Sequence, residues 1–527
     1  MHDYVIVGAG SAGCVLAARL SEDPDTSVLL IEAGPPDSGE NLHVPLGYLK
    51  LARTEVDWDF NSMPERNCNG RRIGLPRGRV LGGSSSVNAM IYIRGNRRDY
   101  DEWGVDGWLW DDLFPYFLRS EDNERGASEW HGVGGPLPVS DQRSGNVITP
   151  AFVEAGVEAG APRNDDFNGA EQDGVGMYQL TQRSGMRASA AVAYLHPVLE
   201  RPNLTVMTDT LVRRVLFDGT RASGVETSRL GELSEQRAEC EVILCGGAYN
   251  SPQLLMLSGV GPAEHLALRE IDVLLDHPAV GENLSDHAAT YGVWTTPEPK
   301  SLLLAREPAA LEEFTESKSG PFTSNLAESG GFFRVGDDAE APDIQFHVAP
   351  IQIVDEGMGD PDSHGVWLSP CLLTPESRGT VRLASNDPTA KPLIRNDFYA
   401  AEADMERMTA ALRIMEEVSA QPSMRPYCVE RFTAPGGESE EDLRAHAAAT
   451  TFAIYHPVGT CAIGSVVDAE LRVQGLDGLR VVDASVMPRV PRGNTNAPVI
   501  AVAERAADLI AGRQPLRGEA ARPASGA

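Results

Sequence analysis

The feature that most constrains this chain is the glycine turn Gly8-Ala9-Gly10-Ser11-Ala12-Gly13. It is set between a short apolar run, Tyr4 to Val7, and a helix-forming stretch, Cys14 to Leu20. A Gly-x-Gly-x-x-Gly run alone is a weak signal. Here a second apolar run, Ser27 to Ile31, follows and ends on Glu32, 19 positions after the last glycine. Strand, glycine turn, helix, strand and acid in this order form the βαβ unit that holds the ADP half of a dinucleotide. Gly8 admits the tight turn, Gly10 with Ser11 and Ala12 brings backbone amides to a pyrophosphate at the positive helix end, and Gly13 lets the helix lie against the strand. Glu32 would accept hydrogen bonds from a ribose diol, and an acid there disfavours a 2′-phosphate and hence NADP.

At 527 residues the chain exceeds the size at which one core stops growing, so two or more domains are expected. The 42% apolar and 23% charged fractions are those of a globular protein. Its 52 Gly and 36 Pro have no collagen-like period and read as the turns of a loop-rich α/β enzyme. The 76 acidic against 45 basic residues, a net charge of −31, argue against a nucleic-acid partner. No apolar run reaches the roughly 18 to 20 residues of a spanning helix, and a strand pattern directly after Met1 leaves no room for a cleavable leader. A soluble, cytoplasmic protein is the expectation. The seven scattered cysteines, without a C-x-x-C pair, read as reduced and mostly buried. His131, His196 and His347 have no metal-ligand spacing, no G-x-S-x-G elbow occurs, and no metal is expected.

Spacing does not separate NAD from FAD. Two further runs of small residues, 78–90 and 483–495, suit a cofactor held along its full length, which favours FAD. Strand patterns recur at Leu204 to Met207, Leu211 to Phe217, Gly224 to Thr227 and Cys240 to Cys245, and Ser251-Pro252 predicts the opening of a helix, Gln253 to Ser258. Strands such as Ile344 to Val348 and Val366 to Ser369, with a helix from Glu402 to Ser419, belong to a second domain whose antiparallel sheet would lie over the cofactor. After residue 450 the glycine-dense style of the first domain returns and ends in a helix, Val499 to Ile510. The fold class is therefore α/β: a Rossmann-like FAD-binding domain, split in sequence (1–150, 200–290 and 450–512), plus an α+β substrate domain (151–199 and 291–449). Residues 513–527 are expected to form a flexible tail.

These segments together resemble the glucose-methanol-choline (GMC) oxidoreductase family. The resemblance is carried by Tyr4 to Gly13, Ile31 to Gly34, Gly78 to Asn88, Gly247-Ala248 with Ser251-Pro252, Ser258 to Gly261, Gly281 to His287, His456 to Thr460, and Asp483 to Asn496. It implies a flavoprotein that oxidises an alcohol by hydride transfer to flavin N5. It also implies cofactor contacts from Arg79, Gly82, Gly83, Ser84, Asn88, Ala89 and Met90 along the pyrophosphate and ring, from Val212 at the adenine, and from Ala248, Asp483, Ala484 and Thr495. Some members attach FAD covalently through a His before the Asn of the glycine-serine segment; Val87 stands there, so noncovalent FAD is expected.

His456 and Asn494 match the family's active-site pair. An alcohol yields hydride readily only as its O–H proton leaves, so a neutral His within reach of that oxygen serves as base. An amide N–H from Asn494 would stabilise the developing alkoxide. Asn496 lies two residues on, and the family match favours Asn494. Tyr455 resembles the aromatic residue beside this His in several members and is a candidate substrate contact. His287 reads as part of a structural turn. The function implied is oxidation of a primary alcohol to an aldehyde, choline dehydrogenase-like, with O2 or a quinone-like compound as electron acceptor. The alternatives are an aryl or furanic alcohol oxidase, a lyase of the hydroxynitrile type, and a noncatalytic flavin-binding protein.

Overall fold

The computed structural model describes residues 1–336, 339–353, 359 and 361–516. The strand His2–Val7 is the middle of a five-stranded parallel sheet. In spatial order its strands are Leu204–Met207, Val28–Ile31, His2–Val7, the C-terminal part of Glu232–Leu244, and Leu479–Val481. Val5, Ile6, Val28 to Leu30 and Val242 to Leu244 are fully buried, as expected of a parallel sheet covered on both faces. The register pairs Val7 with Ile31 and Leu244, Ile31 with Met207, and Leu244 with Val481. All five carboxyl ends therefore finish level, and the chain leaves them at Gly8, Glu32, Thr208, Cys245 and Val482. The crevice outside such an edge is where α/β sheets take their ligands.

The strand Glu232–Leu244 is 13 residues long, twice the expected Cys240 to Cys245. Its first half is polar and largely exposed and pairs antiparallel with Arg221–Arg229, which pairs in turn with Thr210–Asp218. Only the buried end carries an apolar signal.

The second sheet is antiparallel, in the order Glu430–Thr433, Gly292–Thr295, Gly365–Leu372, Ile344–Ala349, Ser329–Phe333 and Gly174–Met177. The short strands Ala288–Ala289 and Phe452–Ala453 extend it. Helix Glu402–Ser419 has the bounds its periodicity predicts and buries Met405, Met408, Leu412 and Met415 at three- and four-residue spacing against this sheet. Two separate cores result, one around the parallel sheet and one beneath the antiparallel sheet.

Three helices start earlier than their sequence predicts, Ser11–Leu20 and Asn496–Ile510 by three residues each and a third by six. The third spans Gly247–Leu257, so Pro252 lies inside it rather than opening it. A proline leaves the carbonyl four residues back without its N–H partner, and here that carbonyl, on Ala248, accepts from Thr460 Oγ1 at 2.7 Å. Of the proposed tail, residues 517–527 lie outside the described residues. Arg513 pairs with Glu22 at 3.2 Å and the Leu516 amide donates to the Tyr116 hydroxyl at 3.1 Å, so the start of the segment is docked. Among the described residues no helix is long and apolar enough to cross a membrane, and no group of His, Cys, Asp and Glu could hold a metal ion. All seven cysteines are free, five of them buried.

Candidate active site

A cavity of about 600 Å³ is lined from both sheets, by the carboxyl edge of the first and by His347 and Trp367 of the second. At one end it is lined by Gly8, Gly10, Ser11, Ala12, Glu32 and Val212. Gly13 does not reach the cavity. It lies behind the turn, where an added Cβ would sit 1.9 Å from the Gly8 carbonyl oxygen, so the helix can approach the strand only with glycine there. Glu32 is buried and already engaged: Oε2 accepts from the Ala9 amide and Oε1 from the Gly34 amide, both at 2.9 Å. Burial pushes its carboxyl up to about 7 against those amides. Each oxygen keeps a second lone pair for a ligand hydroxyl. Val212 sits beside an irregularity in the pairing with Arg221–Arg229.

Midway along, two helix N-termini converge. Helix Ser11–Leu20 begins after Gly10 and helix Asn496–Ile510 after Thr495, and neither has a side-chain cap. Ser11 Oγ donates to Asn496 Oδ1 at 2.7 Å, which ties the two ends together. Unsatisfied N–H groups at both ends, with the partial positive charge of the helices behind them, form an anion site of the kind a pyrophosphate occupies. Gly83, Ser84, Ala248, Asp483, Ala484 and Thr495 complete the wall. Asp483 holds that wall in place: Oδ2 accepts from the Gly247 amide at 2.9 Å and from Ser251 Oγ at 2.6 Å, and Oδ1 from the Ser485 amide at 2.8 Å. Gly82 and Arg79 stand outside the lining. The Gly82 amide donates to the Ala9 carbonyl at 2.8 Å, and Arg79 donates to the Ala33 carbonyl at 2.9 Å with its guanidinium over the Trp58 ring. Gly82 braces the glycine turn and Arg79 the segment after Glu32. The acidic end, the open helix termini and the glycine-serine loop together fit a dinucleotide lying along the cavity.

At the far end Asn88, Ala89, Met90, Tyr455, His456 and Asn494 meet. His456 Nε2 lies 3.3 Å from Asn494 Nδ2, and its Nδ1 lies 3.0 Å from Nδ1 of His287. His287 Nε2 faces the Leu373 carbonyl at 3.1 Å, which fixes the protons. A carbonyl only accepts, so His287 carries its proton on Nε2 and its Nδ1 is an acceptor. His456 then donates from Nδ1, and its unprotonated Nε2 faces the cavity, where it accepts from Asn494 Nδ2. The Asn494 amide is oriented as well, because Oδ1 accepts from Gln345 Nε2 at 3.3 Å, which turns Nδ2 toward His456. Asn496, by contrast, is taken up by Ser11. Gly493, at φ +137°, lets the chain pass where a Cβ would fall 2.3 Å from Ile93, and so delivers Asn494 to the site.

Burial, then the neighbouring His287, His347 and Arg77, hold His456 well below the ordinary histidine value. Its backbone amide donates to Asp286 Oδ1 at 2.7 Å. Tyr455 and Met90 are left-handed at φ +70° and +58°, strain of about 1–3 kcal/mol each that the surroundings must hold. The Tyr455 carbonyl accepts from Arg77 at 2.7 Å.

Spacing along the chain missed three of these residues. His287 is the ring partner of His456 and more than part of a turn. His347 lines the cavity, is 2% exposed, and has no partner among the described residues for either ring nitrogen. It shares a face of strand Ile344–Ala349 with Gln345, while Ile344, Phe346 and Val348 face the core. The alternation Ile-Gln-Phe-His-Val inside a buried strand was the available signal.

The profile described as GMC oxidoreductase matches residues 2–289 and 375–503. The chain is 42% identical to an alcohol dehydrogenase (acceptor) of Pseudomonas putida, over 97% of this chain and 96% of that one. It is also 42% identical to an oxygen-dependent choline dehydrogenase of Burkholderia orbicola, over 98% and 94%. The solved structure of pyridoxine 4-oxidase from Mesorbium loti superposes with a TM-score of 0.89 at 33% identity, covering 98% of this chain and 100% of that one. The chain belongs to the GMC oxidoreductase family and is an FAD-dependent oxidoreductase acting on CH–OH groups.

Proposed function

We propose that the protein oxidises a primary alcohol to an aldehyde, with the hydroxyl proton passing to His456 Nε2. The observation that carries this reading is the pairing at the cavity end. One ring nitrogen of His456 is committed to His287, while the other, unprotonated, shares a small volume with the Asn494 amide. An alcohol oxygen placed there gives its proton to Nε2 and accepts from Nδ2 of Asn494, so charge developing on oxygen meets a donor already in place. Bound FAD supplies the acceptor for the hydride that leaves the carbinol carbon. The cofactor is held noncovalently, since Val87 offers no ring nitrogen for attachment, and acid precipitation of the holoenzyme should release all flavin to the supernatant. The relatives named above support an alcohol substrate and leave both oxygen and an organic compound as electron acceptor.

A choline-like substrate follows the second relative. An aryl or other uncharged alcohol is favoured by a specific observation: among the described residues, every carboxylate lining the cavity is already engaged. Glu32 and Asp483 accept backbone amides, Asp57 accepts from the Asp59 and Arg77 amides, and Asp59 pairs with Lys391 at 2.8 Å. The lining includes three mutually packed rings, Tyr291, Trp367 and Phe452, at centroid distances of 5.9 to 6.3 Å.

The test is anaerobic mixing of the holoenzyme with choline, aliphatic and benzylic alcohols, following loss of flavin absorbance. His456→Ala should retain FAD and slow that loss by about 10²–10⁴-fold. Wild-type rates in the variant, or no bleaching by any alcohol, would sink the proposal.

A further inference from the structure

Arg187 is 3% exposed, and no carboxylate pairs with it among the described residues. The buried arginines Arg94 and Arg480 each face one, Glu121 and Glu241, and the buried Arg505 lies over the Trp108 and Tyr116 rings, which do not line the cavity. Arg187 instead donates from Nη1 to the Ser85 carbonyl at 3.1 Å and to Asn88 Oδ1 at 2.9 Å, while Nε and Nη2 have no acceptor. Its guanidinium lies 6.0 Å from the centre of the Tyr48 ring. An unpaired buried cation is costly, and its replacement by an apolar residue usually costs a protein little. Burial accordingly pushes Arg187 down to about 9.

The three groups it touches explain where its charge acts. Ser85, Asn88 and Tyr48 all line the cavity, so the guanidinium stands directly behind the wall. Asn88 Oδ1 is further occupied by the Met90 amide at 3.0 Å, which fixes the orientation of the side-chain amide. We propose that Arg187 is a built-in counter-charge for the negative charge the cofactor gains on reduction. This inference rests on the FAD reading above. There the hydroxyl proton stays on His456, so bound FAD, which would take up the hydride, would carry added negative charge in its reduced state. A fixed cation in a dry wall stabilises that state more than the oxidised one. Arg187 thereby acts through Asn88 and Ser85 as a positioning and charge-supplying residue.

The test compares the holoenzyme with Arg187→Lys, Arg187→Gln and Arg187→Met, by sulfite titration of the flavin absorbance and by dye-equilibrated midpoint potential. Sulfite adds to the oxidised ring as an anion and so reads the same charge without turnover. The neutral variants should bind sulfite at least tenfold more weakly and have a more negative midpoint, with Arg187→Lys close to wild type. If both neutral variants fail to hold FAD while Arg187→Lys holds it, the charge serves binding of the oxidised cofactor and the proposal is overturned. Wild-type sulfite affinity in either neutral variant, or equal losses in all three, overturns the proposal. A wild-type protein without flavin would instead refute the functional reading.

Discussion

His456 is prepared for the proposed role by what surrounds it. The Leu373 carbonyl fixes the proton of His287, His287 fixes that of His456, and the unprotonated Nε2 faces the cavity, where a hydroxyl can sit. Its basicity is set low by burial first and by His287, His347 and Arg77 after that. The sign follows directly: a histidine held below its ordinary value is already neutral at pH 7. The rate of flavin reduction by alcohol should therefore be flat from pH 6.5 upward through neutrality, with its acid limb below 6.5. Stopped-flow rates across pH 4.5 to 8 check this, and a limb centred above 6.5 would contradict it. Sequence made part of this site legible. His456 and Asn494 stand in recognisable segments because the chemistry demands those types in that order. Asn494 and Asn496 could not be separated along the chain, since only the fold sends one to His456 and the other to Ser11. His287 is 169 residues from its ring partner, and no local pattern records that contact.

At the scale of the element, strands and helices with one apolar face were readable, and those defined by a distant partner were not. Helix Glu402–Ser419 announces itself by its own periodicity, whereas helix Gly247–Leu257 contains a proline that local rules place at its start. Thr460, more than 200 residues away, makes the longer helix possible by satisfying the Ala248 carbonyl. Thr460→Val should cost about 1–2 kcal/mol, the price of a buried unsatisfied carbonyl, and should weaken FAD binding because Ala248 lines the cavity. Melting curves with and without added FAD measure both effects. Another element is held by charge. His131 bridges Asp166 at 2.8 Å and Glu121 at 3.0 Å. Burial alone would lower its pKa, but the two carboxylates raise it to about 9. A folded value above the unfolded 6.5 means this stabilisation is complete below 6.5 and lost as pH rises through 9. The melting temperature should fall between pH 6.5 and 9.5, and His131→Asn should flatten that fall.

At the scale of the molecule, two sheets with separate cores leave one cavity between them, and the net charge of −31 surrounds it. An anionic cofactor must bind against that field. The cationic side chains that line the cavity are engaged elsewhere: Arg53 and Lys391 with Asp59, Arg72 with the Ser62 carbonyl, and Arg77 with the Tyr455 carbonyl. What remains for the pyrophosphate are the open N-termini of helices Ser11–Leu20 and Asn496–Ile510. Their partial charges are fixed, close and shielded from bulk ions, so salt screens them little. The repulsion from the acidic surface is long-ranged, and at 0.15 M salt it is cut beyond about 8 Å. Attraction and repulsion thus respond oppositely to ionic strength. Raising NaCl from 20 to 300 mM should leave FAD affinity unchanged or tighten it, where a site built on lysines and arginines would lose affinity steeply. Titration of the apoprotein with FAD at the two salt concentrations, followed by fluorescence quenching, decides between them. A tenfold weakening at high salt would mean that free cationic side chains, and not helix ends, carry the phosphates.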